Sequence, residues 1–589
     1  VETLGSVTVI CSDKTGTLTR NEMTVREIRT AGGRYQVTGS GYSPTGEFLR
    51  EGSDAVDPGG EPELARALKI AAWCNNAKVI PKGQGDEGWQ VIGDPTEGAL
   101  IVAALKADME ASAPDEHVIL EIPFDSDRKT MSVIVREPDG SALMLTKGAP
   151  EILLRSCDRE WRDGTEVPLT DDRRREIMAE NSEMAGRALR VLALAERRFP
   201  NADDGKFEEK DLSFTGLVGM IDPPRDEARE AVARCRQAGI RPVMITGDHH
   251  ETALAIAHEL GLAAEEEMAL TGARLDETTD DELGELVTRV PVYARVSAEH
   301  KLRVVRAWKR RGDVVAMTGD GVNDAPAVDA ADIGIAMGIT GTDVTKEASD
   351  MVLTDDNFAS IVNAVEEGRG IFDNIQKFVL FLLSCNAGEV LVMLFAAVIG
   401  WPAPLTALQI LWVNLVTDSL PALALGMEPP EPDVMTRPPR PPQEPVITWS
   451  RGLTILFNGT LVAIVTGIAF GMIYQPGDAE SLAHARATSL MVLAFSQLFF
   501  AFGCRSQRYT LPQLGLFTNP WMFAAVATSG MLQASLILLP VTRSVFDLTP
   551  YPAQEWFLVM LLSLVPVTVV ELGKIVRSIV WGERTSRPG

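Results

Sequence analysis

Val7-Thr8-Val9-Ile10-Cys11-Ser12-Asp13-Lys14-Thr15-Gly16-Thr17-Leu18-Thr19 is the stretch that decides how the chain folds. Val7 to Ile10 is apolar and mostly β-branched, the pattern of a parallel strand buried on both faces. Asp13 falls just past the carboxyl end of that strand, where open α/β sheets place reactive groups. Lys14 to Thr19 adds small hydroxyl residues and a glycine, so the backbone can come close to a phosphate. A carboxylate in that position can act as a nucleophile and form an acyl-phosphate. A polar turn after a strand would account for a shorter motif, but not for the whole run from Asp13 to Thr19.

The same strand-then-turn pattern returns far downstream. Leu217 to Ile221 ends in Asp222-Pro223-Pro224-Arg225, and Pro242 to Ile245 ends in Thr246-Gly247-Asp248. Val292 to Ala294 is a further strand, and Lys301 opens a basic helix running to about Arg311. Val314 to Met317 ends in Thr318-Gly319-Asp320-Gly321-Val322-Asn323-Asp324-Ala325-Pro326-Ala327. Parallel strands ending in such turns gather polar groups along one sheet edge. Asp320, Asp13 and a backbone carbonyl near Thr15 offer the oxygen ligands that Mg²⁺ takes. Thr246 and Gly247 can bind phosphate oxygens, and Lys301 can neutralise charge developing on a transferred group.

Between these halves lies a long insertion, about 27–212, rich in Gly, Asp and Pro near its start. It contains Gly93-Asp94-Pro95-Thr96-Glu97-Gly98 ahead of an apolar helical run, and Phe124-Asp125-Ser126-Asp127-Arg128-Lys129 ahead of a strand. The strand Leu143 to Thr146 delivers Lys147-Gly148-Ala149-Pro150. No G-x-x-x-x-G-K-[ST] loop occurs, so a P-loop route to ATP is unsupported.

The Asp13-to-Thr19 run resembles the phosphorylation motif of P-type ATPases, ion pumps that pass through an aspartyl-phosphate. The Asp320 stretch resembles that family's hinge motif, and Thr246-Gly247-Asp248 and Asp222 to Arg225 resemble its other phosphorylation-domain motifs. The resemblance implies a haloacid-dehalogenase-like (Rossmann-like) α/β phosphorylation domain, 1–26 and 213–370, interrupted by an α+β nucleotide-binding domain, 27–212. It makes Asp13 the nucleophile and Asp320 the Mg²⁺ ligand, with Asn323 and Asp324 completing the site. Asp248 and Lys14 belong to the same catalytic group. For ATP it implies Phe124 stacking on adenine and Lys147 with Gly148 lining the pocket. Glu97, Lys129 and Arg190 would contact the nucleotide. Simple phosphatases of the wider superfamily carry an aspartate two residues after the nucleophile. Thr15 stands there and has no suitable pKa for acid/base work, which implies a long-lived phosphoenzyme.

From Phe378 onward, long apolar runs dominate. Six are long enough to span a bilayer at about 20 residues each, near 378–399, 405–427, 453–474, 487–503, 521–541 and 556–575. They form an all-α membrane domain, 371–580. Lys377, Arg437, Arg440, Arg451, Arg505, Arg508, Lys574 and Arg577 fall on one side, which the positive-inside bias makes cytoplasmic. Asn386 and Glu389 share a face of the first helix, and Asn414, Thr417 and Asp418 share a face of the second. A carboxylate at mid-bilayer costs roughly 2.5–3.5 kcal/mol on insertion scales, so two facing ones call for a cation between them. Carboxylate and amide oxygens suit a hard ion such as Ca²⁺. Pro421 should break the second helix and free backbone carbonyls.

Asn386 to Glu389 and Asn414 to Pro421 are similar to the fifth and sixth membrane helices of type II P-type Ca²⁺ pumps, most closely the sarco/endoplasmic reticulum kind. That likeness extends through Glu428 to Arg440. Where the two-site pump has a glutamate in its eighth helix, Gln497 stands here, which implies one ion per cycle. No Thr-Gly-Glu-Ser actuator motif and no first four membrane helices are found, so these residues are expected to be the C-terminal portion of a longer pump.

Bulk composition agrees with this reading. A chain of 589 residues holds several cores. A net charge of −26 argues against a nucleic-acid partner. Six scattered cysteines without a C-x-x-C pair read as reduced thiols. The expected function is ATP-driven export of Ca²⁺ with ATP and Mg²⁺ as cofactors, in a multi-pass protein of the cell membrane. A pump for Na⁺ or Mn²⁺, and a non-transporting nucleotide-binding regulator, are the competing readings.

Overall fold

The computed structural model describes residues 3–580 apart from 40, 52–54, 82–87, 115–116, 203–204, 265–267 and 551. The chain divides into two compact units. One is Thr8–Arg236 with Ile240–Val362, and the other is Asn363–Gly589 with Val1–Val7 and Gln237–Gly239.

The first unit carries two large sheets. The smaller is parallel throughout and consists of β1 (Val9–Ser12), β2 (Arg241–Ile245), β3 (Ala269–Thr271), β4 (Val292–Ala294), β5 (Val315–Gly319), β6 (Ile333–Met337) and β7 (Met351–Leu353). Its order is β3-β4-β2-β1-β5-β6-β7, so the winding reverses beside β1. Helices cover both faces, which is why the central strands are apolar without alternation. Val9, Cys11, Val243, Ile245, Val304, Trp308 and Met317 share one buried cluster there. The strand expected at Val7 begins two residues later, because Val7 closes a short 3₁₀ turn over Leu4–Ser6. The ladder then runs to Ser12 and leaves Asp13 as the first residue beyond it.

The larger sheet is mainly antiparallel. Among its strands, Thr24–Thr30 lies against Leu212–Ile221, and Ala142–Gly148 lies between Thr130–Arg136 and Arg190–Phe199. This corrects the division expected at 26/27 and 212/213. Leu217 to Ile221, read as a strand of the phosphorylation domain, pairs instead with Thr24–Arg29 and with Arg190–Ala193. The sequence shows only a buried strand, and pairing alone decides which sheet receives it. The crossover between sheets is therefore a pair of short segments. Thr19 forms an isolated bridge with Pro224, and Arg225 donates to the carbonyls of Gly16 and Thr19.

The second unit is helical. Among the described residues, six helices are long and apolar enough to cross a membrane: α1 (Phe358–Ile399), α2 (Ala407–Gly426), α3 (Trp449–Ile473), α4 (Ala479–Gly503), α5 (Pro520–Leu538) and α6 (Ala553–Val580). The protein is thus a multi-pass membrane protein. Two limits differ from expectation. α1 begins twenty residues before Phe378, since nothing between Phe358 and Lys377 stops a helix and hydropathy marks only its apolar half. α4 likewise begins at Ala479, capped by Asp478, because Glu480, His484 and Arg486 occupy turns that no apolar count includes. α2 is regular to Trp412, widens through a π turn at Val413–Thr417, and resumes at Ser419–Gly426. The break expected at Pro421 thus falls one turn earlier, because a proline near the start of a helical segment needs no backbone donor.

α1 and α3 cross where Gly388 meets Gly459. A Cβ on Gly459 would lie 2.8 Å from Ala387 Cβ and 2.9 Å from the Gly388 nitrogen, so the backbones touch directly. At the ends of α2, α4 and α5, the fully buried Arg505 binds Glu428 at 2.7 Å and the Thr518 hydroxyl at 2.6 Å. All six cysteines are buried and free. We expect Gly459→Leu to destabilise the helical unit by about 1–3 kcal/mol, the usual cost of overpacking. Thermal unfolding in detergent should report it, with Gly467→Leu, where a Cβ meets nothing within 4 Å, as the neutral control.

Candidate active site and membrane carboxylate cluster

Three adjacent parallel strands place their next residues side by side. Asp13 follows β1, Asp320 follows β5 and Thr246 follows β2. The Asp13 backbone N–H donates to the Thr318 hydroxyl at 3.0 Å, and one Asp13 carboxylate oxygen accepts the Lys14 N–H at 2.6 Å. The other oxygen accepts from Lys301 Nζ at 2.6 Å, and Lys301 also donates to Asp324 at 2.7 Å. Lys301 sits in the first turn of Ala298–Arg310, a helix fixed by a capping box between Ser297 and His300. Asp324 accepts the Asp320 and Gly321 N–H groups with its second oxygen. That contact requires Gly319, where a Cβ would stand 2.5 Å from Asp324 Cβ.

Oxygens of Asp13, Asp320 and Asp324 lie within 4.8 Å of one another. Burial, and then the neighbouring Asp13 and Asp324 charges, push the Asp320 carboxyl up to about 6. Burial also raises Asp13, with Lys301 pulling the other way. Lys301 itself rises despite burial, because the Asp13 and Asp324 carboxylates hold its proton. A set of hard oxygen donors carrying more negative than positive charge fits Mg²⁺. Asp324 spends its oxygens on Lys301 and two backbone amides, so it shapes the loop and anchors the lysine.

The remaining residues of this site fall around the same edge. Lys14 is buried and ion-paired with Asp248. Thr15 is extended, and Gly16 follows at φ +76°. Thr246 is buried and its hydroxyl accepts the Asp248 N–H at 3.2 Å, while Gly247 is exposed between them. Asn323 is exposed on the short turn Val322–Asp324, away from the contacts Asp324 makes. Two contributors escaped the sequence reading. Thr318 orients the Asp13 backbone, and Asp356 accepts the Gly338, Ile339 and Thr340 N–H groups beyond β6. A strand-end threonine gave the only signal for the first, and Asp356 gave none.

In the larger sheet, Lys147 is buried and ion-paired with Glu97 at 2.7 Å, and it also donates to Asn75. Glu97 stands in the first turn of Pro95–Leu105 and accepts the Asn76 and Ala77 N–H groups. Asp94 caps that helix, and Arg190 lies within electrostatic reach of Asp94. Gly148 pairs with Thr130 across the sheet, next to Lys129, which adopts φ +52°. Phe124 is 63% exposed, an aromatic ring facing solvent at the end of a strand.

In the membrane helices the expected residues are only partly brought together. Glu389 accepts from the Asn414 amide at 2.7 Å and from the Gln497 amide at 3.1 Å. Asp418 is fully buried, adjoins Cys385, and neither of its oxygens has a donor by hydrogen-bond geometry. The Gln497 carbonyl oxygen and the hydroxyls of Ser384 and Ser496 are also buried without partners. Asn386 stands apart from them: it is exposed, and its amide nitrogen donates to the Leu382 carbonyl of its own helix at 2.8 Å. The common face expected for Asn414, Thr417 and Asp418 is not kept. Thr417 turns toward Gln533 of α5 at 3.5 Å, because the π turn alters the helical phase. Gln533, which also accepts from Trp412, is a buried polar residue that the sequence reading missed.

At one edge the doubly wound sheet gathers Asp13, Asp320 and Asp324, and the membrane helices bury Glu389 and Asp418. Comparisons with known proteins give the family. Residues 63–227 match the profile described as P-type ATPase, cytoplasmic domain N, and residues 402–576 match cation transporting ATPase, C-terminus. The chain is 45% identical over 571 residues to a calcium-transporting ATPase of Bacillus subtilis, covering 96% of this chain and 63% of the relative. It is 43% identical over 569 residues to the probable cation-transporting ATPase F of Mycobacterium tuberculosis, covering 94% and 62%. It is 39% identical over 551 residues to calcium-transporting ATPase type 2C member 1 of Bos taurus, covering 93% and 56%. The chain belongs to the P-type ATPases, and it spans less than two thirds of the length of these relatives.

Because Asp320 must lose its proton to bind a metal, Mg²⁺ affinity should fall as pH drops. Below about 6 the fall should approach tenfold per pH unit, and above it affinity should level off. Isothermal titration with Mg²⁺ between pH 5 and 8 checks this, and Asp320→Asn should abolish the dependence.

Proposed function

We propose that this chain is the catalytic and ion-binding portion of an ATP-driven Ca²⁺ exporter. In this reading 1–23 and 222–370 form a haloacid-dehalogenase-like phosphorylation domain, and the strand Leu212–Ile221 with its partner Thr24–Thr30 completes the nucleotide-binding domain. Asp13 attacks the γ-phosphorus of ATP, an aspartyl O–P bond forms, and the β,γ-bridging O–P bond breaks to release ADP. Lys301 offsets charge on the transferred group, and Thr246 with Gly247 donates to its oxygens. Asp13, Asp320 and the Thr15 carbonyl would hold Mg²⁺, which screens the phosphate charges. Phe124 stacks on the adenine, and Lys147, Gly148, Glu97, Lys129 and Arg190 border the nucleotide. Thr15 cannot activate water, so breakdown of the phosphoenzyme is assigned to residues outside this set.

The observation that carries the reading is Asp418. It is a fully buried carboxylate that no N–H or hydroxyl donor among the described residues reaches, beside the Cys385 thiol and close to a second carboxylate at Glu389. Such a pair is costly in a bilayer unless a cation joins it. Glu389, Asp418, Asn414 and Gln497 offer a hard oxygen set suited to Ca²⁺, and the single pair of charges suits one divalent ion. The names of the relatives support calcium as cargo. A cell-membrane location and a working partnership with further actuator and membrane segments complete the proposal. The same machine with Mn²⁺ or Na⁺ as cargo is the second reading, since amide and hydroxyl oxygens accept both.

Acid-stable labelling by γ-³²P-ATP on the full gene product tests the cycle. Label should require micromolar Ca²⁺ and vanish in Asp13→Asn. Asp418→Asn should raise the Ca²⁺ needed roughly a hundredfold. Label called up by Mn²⁺ or Na⁺ alone would change the cargo, and no label under any cation would end the pump reading. Phe124→Ala should weaken ATP binding about 10–100-fold, the worth of one base–aromatic stack, as read by displacement of a fluorescent nucleotide.

A further inference from the structure

One of the free, buried cysteines, Cys385, lies in the membrane carboxylate cluster. It stands on α1 four residues before Glu389, so the two share a face of the helix. It is fully buried, in one cluster with Ala422 and Leu425 of α2 and with Phe500 and Ala501 of α4. Ala422 is one turn beyond Asp418, and the Cys385 thiol lies beside the Asp418 carboxylate. Other thiols are spent on the main chain: Cys74 donates to the Met131 carbonyl at 3.4 Å and Cys157 to the Leu153 carbonyl at 3.2 Å. A buried thiol commonly serves as a small apolar filler. Cys385 differs in what it faces, a carboxylate that no N–H or hydroxyl donor among the described residues reaches.

The donors gathered here are of two kinds. Asp418 and Glu389 supply carboxylate oxygens, and the Gln497 carbonyl oxygen and the Ser384 hydroxyl are buried without partners. These are hard ligands, suited to Ca²⁺. Sulfur is soft, so it adds little for Ca²⁺ and much for a thiophilic ion such as Zn²⁺ or Cd²⁺. One sulfur among oxygens therefore separates hard from thiophilic ions less sharply than an all-oxygen set would.

We propose that Cys385 is a ligand for thiophilic divalent cations and sets how well the cargo site separates them from Ca²⁺. The inference rests on the reading that Glu389 and Asp418 hold the cargo. As such an ion enters, a metal–sulfur bond forms, the S–H bond breaks and the proton leaves to water. Asp418 and Glu389 supply the other charged ligands.

The test uses Cd²⁺ as the probe on the full gene product in detergent. Without ATP, Cd²⁺ should raise the ultraviolet charge-transfer band of a cadmium–thiolate bond. Part of that band should vanish in Cys385→Ser, and Ca²⁺ should displace the same part from the unmodified protein. In Asp418→Asn that part should need about 10–100-fold more Cd²⁺, no less than the loss of an outer-shell partner costs. Acid-stable labelling gives a second reading, the Cd²⁺ that half-suppresses label relative to the Ca²⁺ that half-supports it. That ratio should rise about 10–100-fold in Cys385→Ser. Cys385→Ala carries the same comparison if the hydroxyl disturbs folding. A band equal with and without Cys385, or a ratio that neither variant moves, would overturn the proposal. A Cys385 band weakened by Asp418→Asn yet indifferent to Ca²⁺ would keep the sulfur ligand and overturn the cargo reading on which its selectivity rests.

Discussion

Carboxylates of Asp13, Asp320 and Asp324 are held within 4.8 Å of one another, and the structure of the sheet edge answers that crowding. Like charges at this spacing repel by several kcal/mol in a partly buried setting, at about 4 kcal/mol for a pair near 4 Å and an effective dielectric of 20. Lys301 reaches two of them at once, so the helix that carries it must start at a fixed height above the sheet. Ser297 and His300 fix that start. Asp324 is held by backbone amides of its own loop, which in turn requires a glycine at 319. A site assembled this way holds its groups in fixed positions and carries more negative than positive charge.

The membrane unit meets the same constraint with different means. Glu389 is stabilised by two side-chain amides, whereas Asp418 has only the Cys385 thiol beside it among the described residues. A half-turn of the Asn414 or Gln497 amide would present oxygen where each now presents nitrogen. Close packing of α1 on α3 through Gly388 and Gly459 gives that exchange a firm back wall.

Much of this was legible in the sequence because strand ends carry the chemistry. Asp13, Thr246 and Asp320 were each read as residues just beyond a strand, and the parallel register places all three on one edge. Six apolar runs announced six helices. What stayed hidden depends on partners rather than patterns. Leu212–Ile221 looks like any buried strand, and only its ladder with Thr24–Thr30 assigns it to the larger sheet. Asn386 has the spacing of a ligand, yet its amide is content with its own helix. Asp356 and Gln533 act from elements remote in sequence, where no local periodicity points to them.

The π turn at Val413–Thr417 has a consequence for how α2 accommodates change. The Asp418 N–H bonds to the Val413 carbonyl and the Ser419 hydroxyl to the Asn414 carbonyl, so one residue more than a normal turn is accommodated there. Everything after Thr417 is rotated by about 100° relative to an unbroken helix, the angle that one residue subtends. The two halves of α2 therefore obey separate helical wheels. Loss of a single residue inside the turn would restore a regular helix and swing Asp418 off its present bearing. Length at this point is fixed as strictly as residue identity, and a ligand is aimed by counting as much as by chemistry.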